Sequence, residues 1–198
     1  MGVHMNKYIP IVMTIDNNYI KQVITVIYSV MSNLSLNYDI KVYILHGRDF
    51  YETNKNRIRS LTSICNNLEI QFILVDEYLF EGACPEGHIT LCSYYRLAID
   101  KLINEDKCIF LDGDIIVQCD VGELYDFDID DYYIAGVRDF GFRINPEFAM
   151  SHARKYHFPS MKEYINAGVL LFNIKKIRSD NMGELLISEV PNQYLYDD

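Results

Sequence analysis

Positive charge is scarce in this chain. There are 18 Lys and Arg against 28 Asp and Glu, a formal net charge of −10. The basic residues are spread out, so no patch stands ready for a phosphate backbone, and nucleic acid is not an expected partner. An acidic chain also repels anionic ligands. Phosphate chemistry here would therefore need a metal cation.

The five cysteines, Cys65, Cys84, Cys92, Cys108 and Cys119, are odd in number and contain no C-x-x-C. Neither a disulfide framework nor a zinc site is indicated. Most are expected to be small buried hydrophobes, which suits a reducing compartment and a cytoplasmic protein. No apolar run reaches the ~18 residues of a membrane span, and no secretory h-region opens the chain. Internal repeats, linkers and low-complexity tracts are also missing.

What is present is ample material for one core. The 198 residues are 49% hydrophobic and 23% charged, the profile of a folded single domain. "GVHM" ahead of a second Met reads as a cloning scar over residues 1–4, leaving 5–198 as the domain. "YIPIVMTID" reads as a buried strand closed by Asp-Asn-Asn. "YIKQVITVIYSVMSN" follows with Ile20, Val23, Ile24, Ile27 and Met31 at helical spacing. The alternation continues: strand "DIKVYILHG", helix "ETNKNRIRSLTSICNN", strand "LEIQFILVD", helix "ITLCSYYRLAIDKLI", strand "KCIFL". Strands alternating with helices predict a mostly parallel central sheet with helices on both faces. "DYYIAGVRD" and "NAGVLLFNI" are two further strands. Between them, Phe140 to Lys162 shows no clear period and reads as an irregular insertion, with His152 and His157 solvated. "KKIRSDNMGELLISEV" reads as one last helix.

Ligands of open α/β sheets bind beyond the carboxyl ends of the strands. That directs attention to Asp16-Asn17-Asn18-Tyr19, to the segment from Glu77 to Ile89, and to Asp112-Gly113-Asp114. Side chains two apart on an extended segment share a side, so Asp112 and Asp114 are expected to converge. Two close carboxylates want a proton or a cation between them, and Mg²⁺ or Mn²⁺ accepts one or two carboxylates plus substrate phosphates. Gly113 leaves room beside them. Asp-Gly is also ordinary turn chemistry, and both readings stand. Asp16, Asn18 and Tyr19 close the first strand where a base could stack, or simply cap a helix. Arg96 falls off its helix's apolar stripe, facing a cleft or a surface ion pair.

Several stretches together, "PIVMTIDNNYIKQVITVIYSV", "HITLCSYYRLAI", "KCIFLDGDIIV", "IAGVRD" and "YINAGVLLFNIKKIR", resemble the family 8 glycosyltransferases, in that family's order and across the chain from Lys7 on. The family is typified by bacterial lipopolysaccharide galactosyl- and glucosyltransferases and by glycogenin. The resemblance implies a GT-A (Rossmann-like) nucleotide-diphospho-sugar transferase fold and a retaining enzyme. A hexose, glucose or galactose, would pass from a UDP-sugar to a sugar, glycan or glycolipid acceptor. It implies that Asp112 and Asp114 hold Mn²⁺ or Mg²⁺, and that Thr14, Asp16, Asn18 and Tyr19 hold the uridine, with Tyr19 as the stacking ring. His88 would border the donor, and Arg96 would lie against the donor sugar and order the Asp112–Asp114 loop. Asp139, Asn166 and Ala167 would line the sugar. Where the family often has Ala, Thr or Ser, Gly113 departs and is expected to loosen the loop. The family continues beyond this chain with an acidic-Gln-Asp motif, whose first residue Asp198 matches, and with a late His that is a third metal ligand. A basic tail that docks to the inner membrane face follows. An impaired fragment is the resulting expectation. The alternatives are a non-catalytic sugar-nucleotide-binding remnant and an interaction domain in which "DGD" is only a turn. A haloacid-dehalogenase-type phosphatase fits poorly, because its D-x-D lies near the N-terminus.

Overall fold

The computed structural model describes residues 7–35, 37–83, 85, 90–155 and 157–192. In chain order it holds β1 (Lys7–Thr14), α1 (Ile20–Asn33), β2 (Tyr38–His46), α2 (Glu52–Arg59), β3 (Leu68–Leu74), α3 (Leu91–Tyr94) and α4 (Ile99–Leu102). Then come β4 (Lys107–Leu111), α5 (Val121–Tyr125), β5 (Ile134–Arg138), α6 (Phe140–Ile144), α7 (Pro146–Lys155), β6 (Ile165–Asn173), α8 (Ile174–Ser179) and α9 (Met182–Ser188).

The six strands form one sheet in the order β3-β2-β1-β4-β6-β5. β1, β2, β3 and β4 are parallel, whereas β6 runs antiparallel to both β4 and β5. The strands read as continuous apolar runs because both faces are covered. Ile9, Ile11 and Met13 of β1, with Ile40, Val42, Ile44, Ile109 and Leu111, enter the core on the side of α1. The intervening Val12, Tyr43, Leu45, Cys108 and Phe110 enter a second core with Tyr95, Ala98, Ile99 and Ile177. The alternation of period two thus sorts each strand's side chains between two helical layers. The mostly parallel sheet with helices on both faces is the expected one.

Four expectations need correction. Phe140 to Lys162 is largely helical, carrying α6 and α7. Its helical period escapes notice because its large apolar residues do not settle on one buried stripe: Phe140, Ile144, Phe148 and Met150 are all exposed. His152 is partly buried and packs between Phe142 and Phe148, at 5.3 and 4.1 Å between ring centroids, instead of lying free in solvent. The last helix is two, broken where Asn181 takes a left-handed conformation (φ 54°), which Asn adopts more readily than most residues. Of the four cysteines described, only Cys108 is fully buried, while Cys119 is exposed. Cys84, His88 and Asp198 lie outside the described residues. Among those described, no helix is long and apolar enough to cross a membrane.

Candidate functional site

β4 delivers the D-x-D segment. Cys108, Ile109 and Phe110 are fully buried and Leu111 nearly so; hydrogen bonding to β6 then ends with the Asp112 amide donating to the Gly168 carbonyl at 2.8 Å. By the strand's alternation Asp112 follows Phe110 toward the layer that carries α3 and α4. A turn takes over at Gly113–Asp114, so the alternation that predicts convergence does not run through the pair. Asp112 is half-buried and Asp114 exposed. Ile115–Val117 is not a strand, so the turn at Gly113–Asp114 does not join two paired strands.

Arg96 organises this end of the sheet. It sits in a 3₁₀ turn, Tyr95–Ala98, that joins α3 to α4. Its guanidinium donates to Asp112 Oδ1 at 3.0 Å, to the Ala167 carbonyl at 2.8 Å and to the Ser93 carbonyl at 3.1 Å. The same group lies 4.2 Å from the ring centre of Phe110. Three separate acceptors and an aromatic face are a task for the planar guanidinium fork. The cleft-facing and ion-pair readings of Arg96 are therefore the same contact. Burial pushes the Asp112 carboxyl above the usual range, the Arg96 guanidinium pulls it back, and the nearby Asp114 charge adds to the upward push.

The residues fit a hard divalent cation that completes its shell with substrate oxygens. Asp112 Oδ1 is occupied by Arg96. Asp112 Oδ2 instead faces the bare Cα of Gly168, where a Cβ would stand 3.0 Å away. Asp114 is exposed alongside. Among the described residues no group of three or more His, Cys, Asp or Glu is placed to hold a metal.

The first-strand loop forms the neighbouring wall. Thr14 is the last residue of β1 and half-buried. Asp16 Oδ1 accepts from the Asn18 amide at 2.7 Å, closing a local turn. Tyr19 occupies the position before α1 with no side-chain cap, so the capping reading of this cluster is not what the loop does. Its ring is 43% exposed. A Cβ on Gly113 would meet Val23 Cγ2 at 3.2 Å and Tyr19 Cδ1 at 3.7 Å. Gly113 therefore serves close approach of the loop to α1.

On the far side, Asn166 Nδ2 donates to Asp139 Oδ2 at 3.2 Å, and Asn166 Oδ1 accepts from the Gly168 amide at 2.9 Å. Asp139 Oδ1 accepts from the Phe142 amide at the start of α6. Asp139, Asn166, Ala167, Arg96 and Asp112 are thus one connected chain. The antiparallel β6 makes this possible, because its first residues lie beside the last residues of β4.

The sequence carries no separate sign of a role for Ser93 or Gly168, and it marks Asn17 only as part of its loop. Asn17 donates to the Asp49 carbonyl and accepts from the Tyr51 amide and Asn54, tying the loop after β1 to the loop after β2. The Asp-Asn-Asn cluster was its only signal.

The sequence model of glycosyl transferase family 8 matches residues 10–193. General stress protein A of Bacillus subtilis is 28% identical over 181 residues, 90% of this chain and 60% of that protein. The glycosyltransferase GlyD of Streptococcus pneumoniae is 29% identical over 93% of this chain but 20% of its own length. Among solved structures, galactosyltransferase LgtC in complex with donor and acceptor sugar analogues superposes with a TM-score of 0.76 at 26% identity, covering 93% of this chain and 66% of that one. The bifunctional glycosyltransferase WbbM shares the fold, with a TM-score of 0.79 at 24% identity over 96% of this chain and 36% of that one. The chain thus spans 60% and 20% of the lengths of these two relatives.

Proposed function

The chain belongs to glycosyl transferase family 8, and from that premise we propose that it is a retaining hexosyltransferase using UDP-glucose or UDP-galactose. The observation that carries this reading is the Arg96 fork, which joins Asp112 to the start of β6 beside the Tyr19 loop. Tyr19 offers an exposed ring for the uracil, with Thr14, Asp16 and Asn18 around it. Asp112 and Asp114 would hold Mn²⁺ or Mg²⁺, which, when bound, neutralises charge on the departing diphosphate.

The protein's own residues set the geometry. Arg96 aims Asp112 and favours its ionised form, and adds fixed positive charge where the leaving group gathers negative charge. Asp139 and Asn166 present a carboxylate and an amide, suited to the hydroxyls of a hexose, and hold each other in position. Their mutual bond leaves each with acceptor capacity to spare. In the transfer the bond from C1 to UDP breaks, and a bond from C1 to an acceptor hydroxyl oxygen forms on the same face. The leaving phosphate takes the hydroxyl proton. The acceptor is a sugar, glycan or glycolipid.

The test is thermal stability with UDP, UDP-glucose and UDP-galactose, each with and without Mn²⁺, on the native protein and on Asp114→Ala. A ligand at about 100 times its dissociation constant adds about 2.7 kcal/mol. A Mn²⁺-dependent upward shift that disappears in Asp114→Ala is expected. The ligand-free melting point should stay put, because Asp114 is exposed. No shift with any nucleotide would sink the reading.

A further inference from the structure

α6, α7 and residues 159–163 surround a cavity of about 470 Å³ that shares only Asp139 with the residues named for the donor site. This size is typical of small-molecule sites. Its walls include Phe142, Pro146, Ala149, Ala153 and the buried Met161. Such walls suit a bare sugar badly, because each sugar hydroxyl taken from water needs a hydrogen-bond partner. Hydrocarbon meets no such penalty.

The charge around the cavity has the opposite sign to the rest of the chain. Arg138, Arg143 and Lys162 line it, with Asp139 and Glu163. Glu163 is paired with Arg138 at 2.8 Å, while Asp139 keeps its charge and accepts from the Phe142 amide and Asn166. Arg143 and Lys162 have no carboxylate partner among the described residues. Residues 138–163 carry five Lys and Arg against three Asp and Glu, in a chain of net charge −10. The cavity also adjoins the donor site, since Asp139 lines it and reaches Gly168 and Asp112 through Asn166.

We propose that this cavity holds the aglycone of the acceptor: a hydrocarbon chain inside it, joined to a phosphate on Arg143 and Lys162, with the acceptor hydroxyl presented near Asp139. The inference rests on reading the neighbouring site as a glycosyltransferase donor site. It narrows the acceptor from any glycan to a phosphate-bearing amphiphile.

Titration calorimetry of the 198-residue protein with geranyl phosphate, geraniol and inorganic phosphate tests it. Geranyl phosphate should bind at least tenfold tighter than either component. Ala153→Trp should abolish that binding by filling the cavity. Arg143→Ala combined with Lys162→Ala should reduce geranyl phosphate to the level of geraniol. The UDP–Mn²⁺ thermal shift is measured on every variant, so that retained folding and donor binding are seen directly. Inorganic phosphate binding as tightly as geranyl phosphate would overturn the proposal, leaving only a cationic patch. Undiminished binding in Ala153→Trp would do the same. So would sedimentation with phosphatidylglycerol vesicles that geranyl phosphate does not compete away, because the surface would then read a membrane and not one acceptor. A retained UDP shift without geranyl phosphate binding removes this inference alone. Loss of the UDP shift in the native protein removes the donor-site reading beneath it.

Discussion

The β1–β4 wall of the site and the α6–α7 wall are held by different forces. The first stands on strands whose side chains enter two buried cores, and its loops begin where Leu111 and Met13 are still almost wholly excluded from water. The second has one buried hydrophobic anchor, Met161, between Ile129 and Leu170 among the described residues. It relies instead on ring contacts such as Phe142 against Phe148 at 5.3 Å and Tyr164 at 5.0 Å, made partly in solvent. The proposed metal and nucleotide contacts would need carboxylates held closely in place, and the ends of central strands supply such a footing. The proposed acceptor wall has few buried contacts, which makes its opening cheap.

Arg96 should show the sharpest break in this comparison, because it ties the two walls. Arg96→Ala strands a half-buried Asp112 and frees the start of β6. The expected loss is at least about 100-fold in turnover, with about 2 kcal/mol in stability given partial exposure of Asp112. Arg96→Lys should recover little, since one ammonium cannot serve three divergent acceptors. Steady-state kinetics and denaturant melts check both, and a fully active Arg96→Lys would refute the fork's role.

Met161→Ala sharpens the contrast. Large-to-small changes at buried sites cost about 2 kcal/mol or more. Here the loss should appear as faster local hydrogen exchange over residues 140–163, while the global melting point barely moves. An equal loss of protection in β1 and β4 would show that the walls unfold as one unit.

The smallest expected effect lies on the sheet side. His46 is 3% exposed and sits against Phe50, with Nδ1 2.8 Å from the Gly47 carbonyl. Burial holds its pKa below the ordinary value of 6.5. The unfolded chain therefore binds this proton first, so stability is full above about pH 6.5 and declines as pH falls toward the folded-state value. Melting points taken from pH 7.5 to 5.5 should fall for the native protein and fall less for His46→Phe. Identical slopes would remove His46 as the cause.

Much of the sheet-side wall was legible in the chain. Apolar runs of strand length closed by Asp-Asn-Asn and Asp-Gly-Asp mark both the strand and its functional end. Arg96, off its helix's apolar stripe, was identifiable as a cleft residue but not as the three-way donor it is. The far wall was poorly legible. The apolar residues of α6 and α7 face a cavity, one another and solvent, so they draw no clean stripe, and His152 gave no sign of its aromatic neighbours.

The alternation of strands and helices, the family and the carboxylates at the end of β4 can be read along the chain, because burial periodicity and short motifs are local properties. Tertiary structure decided the rest. It reversed β6, so that Asn166, Ala167 and Gly168 meet Asp112 across 54 to 56 residues of sequence. It also folded α6 and α7 around a cavity whose walls have no periodic trace. Those juxtapositions depend on strand direction and on which surfaces remain uncovered, and neither is written in any single stretch of residues.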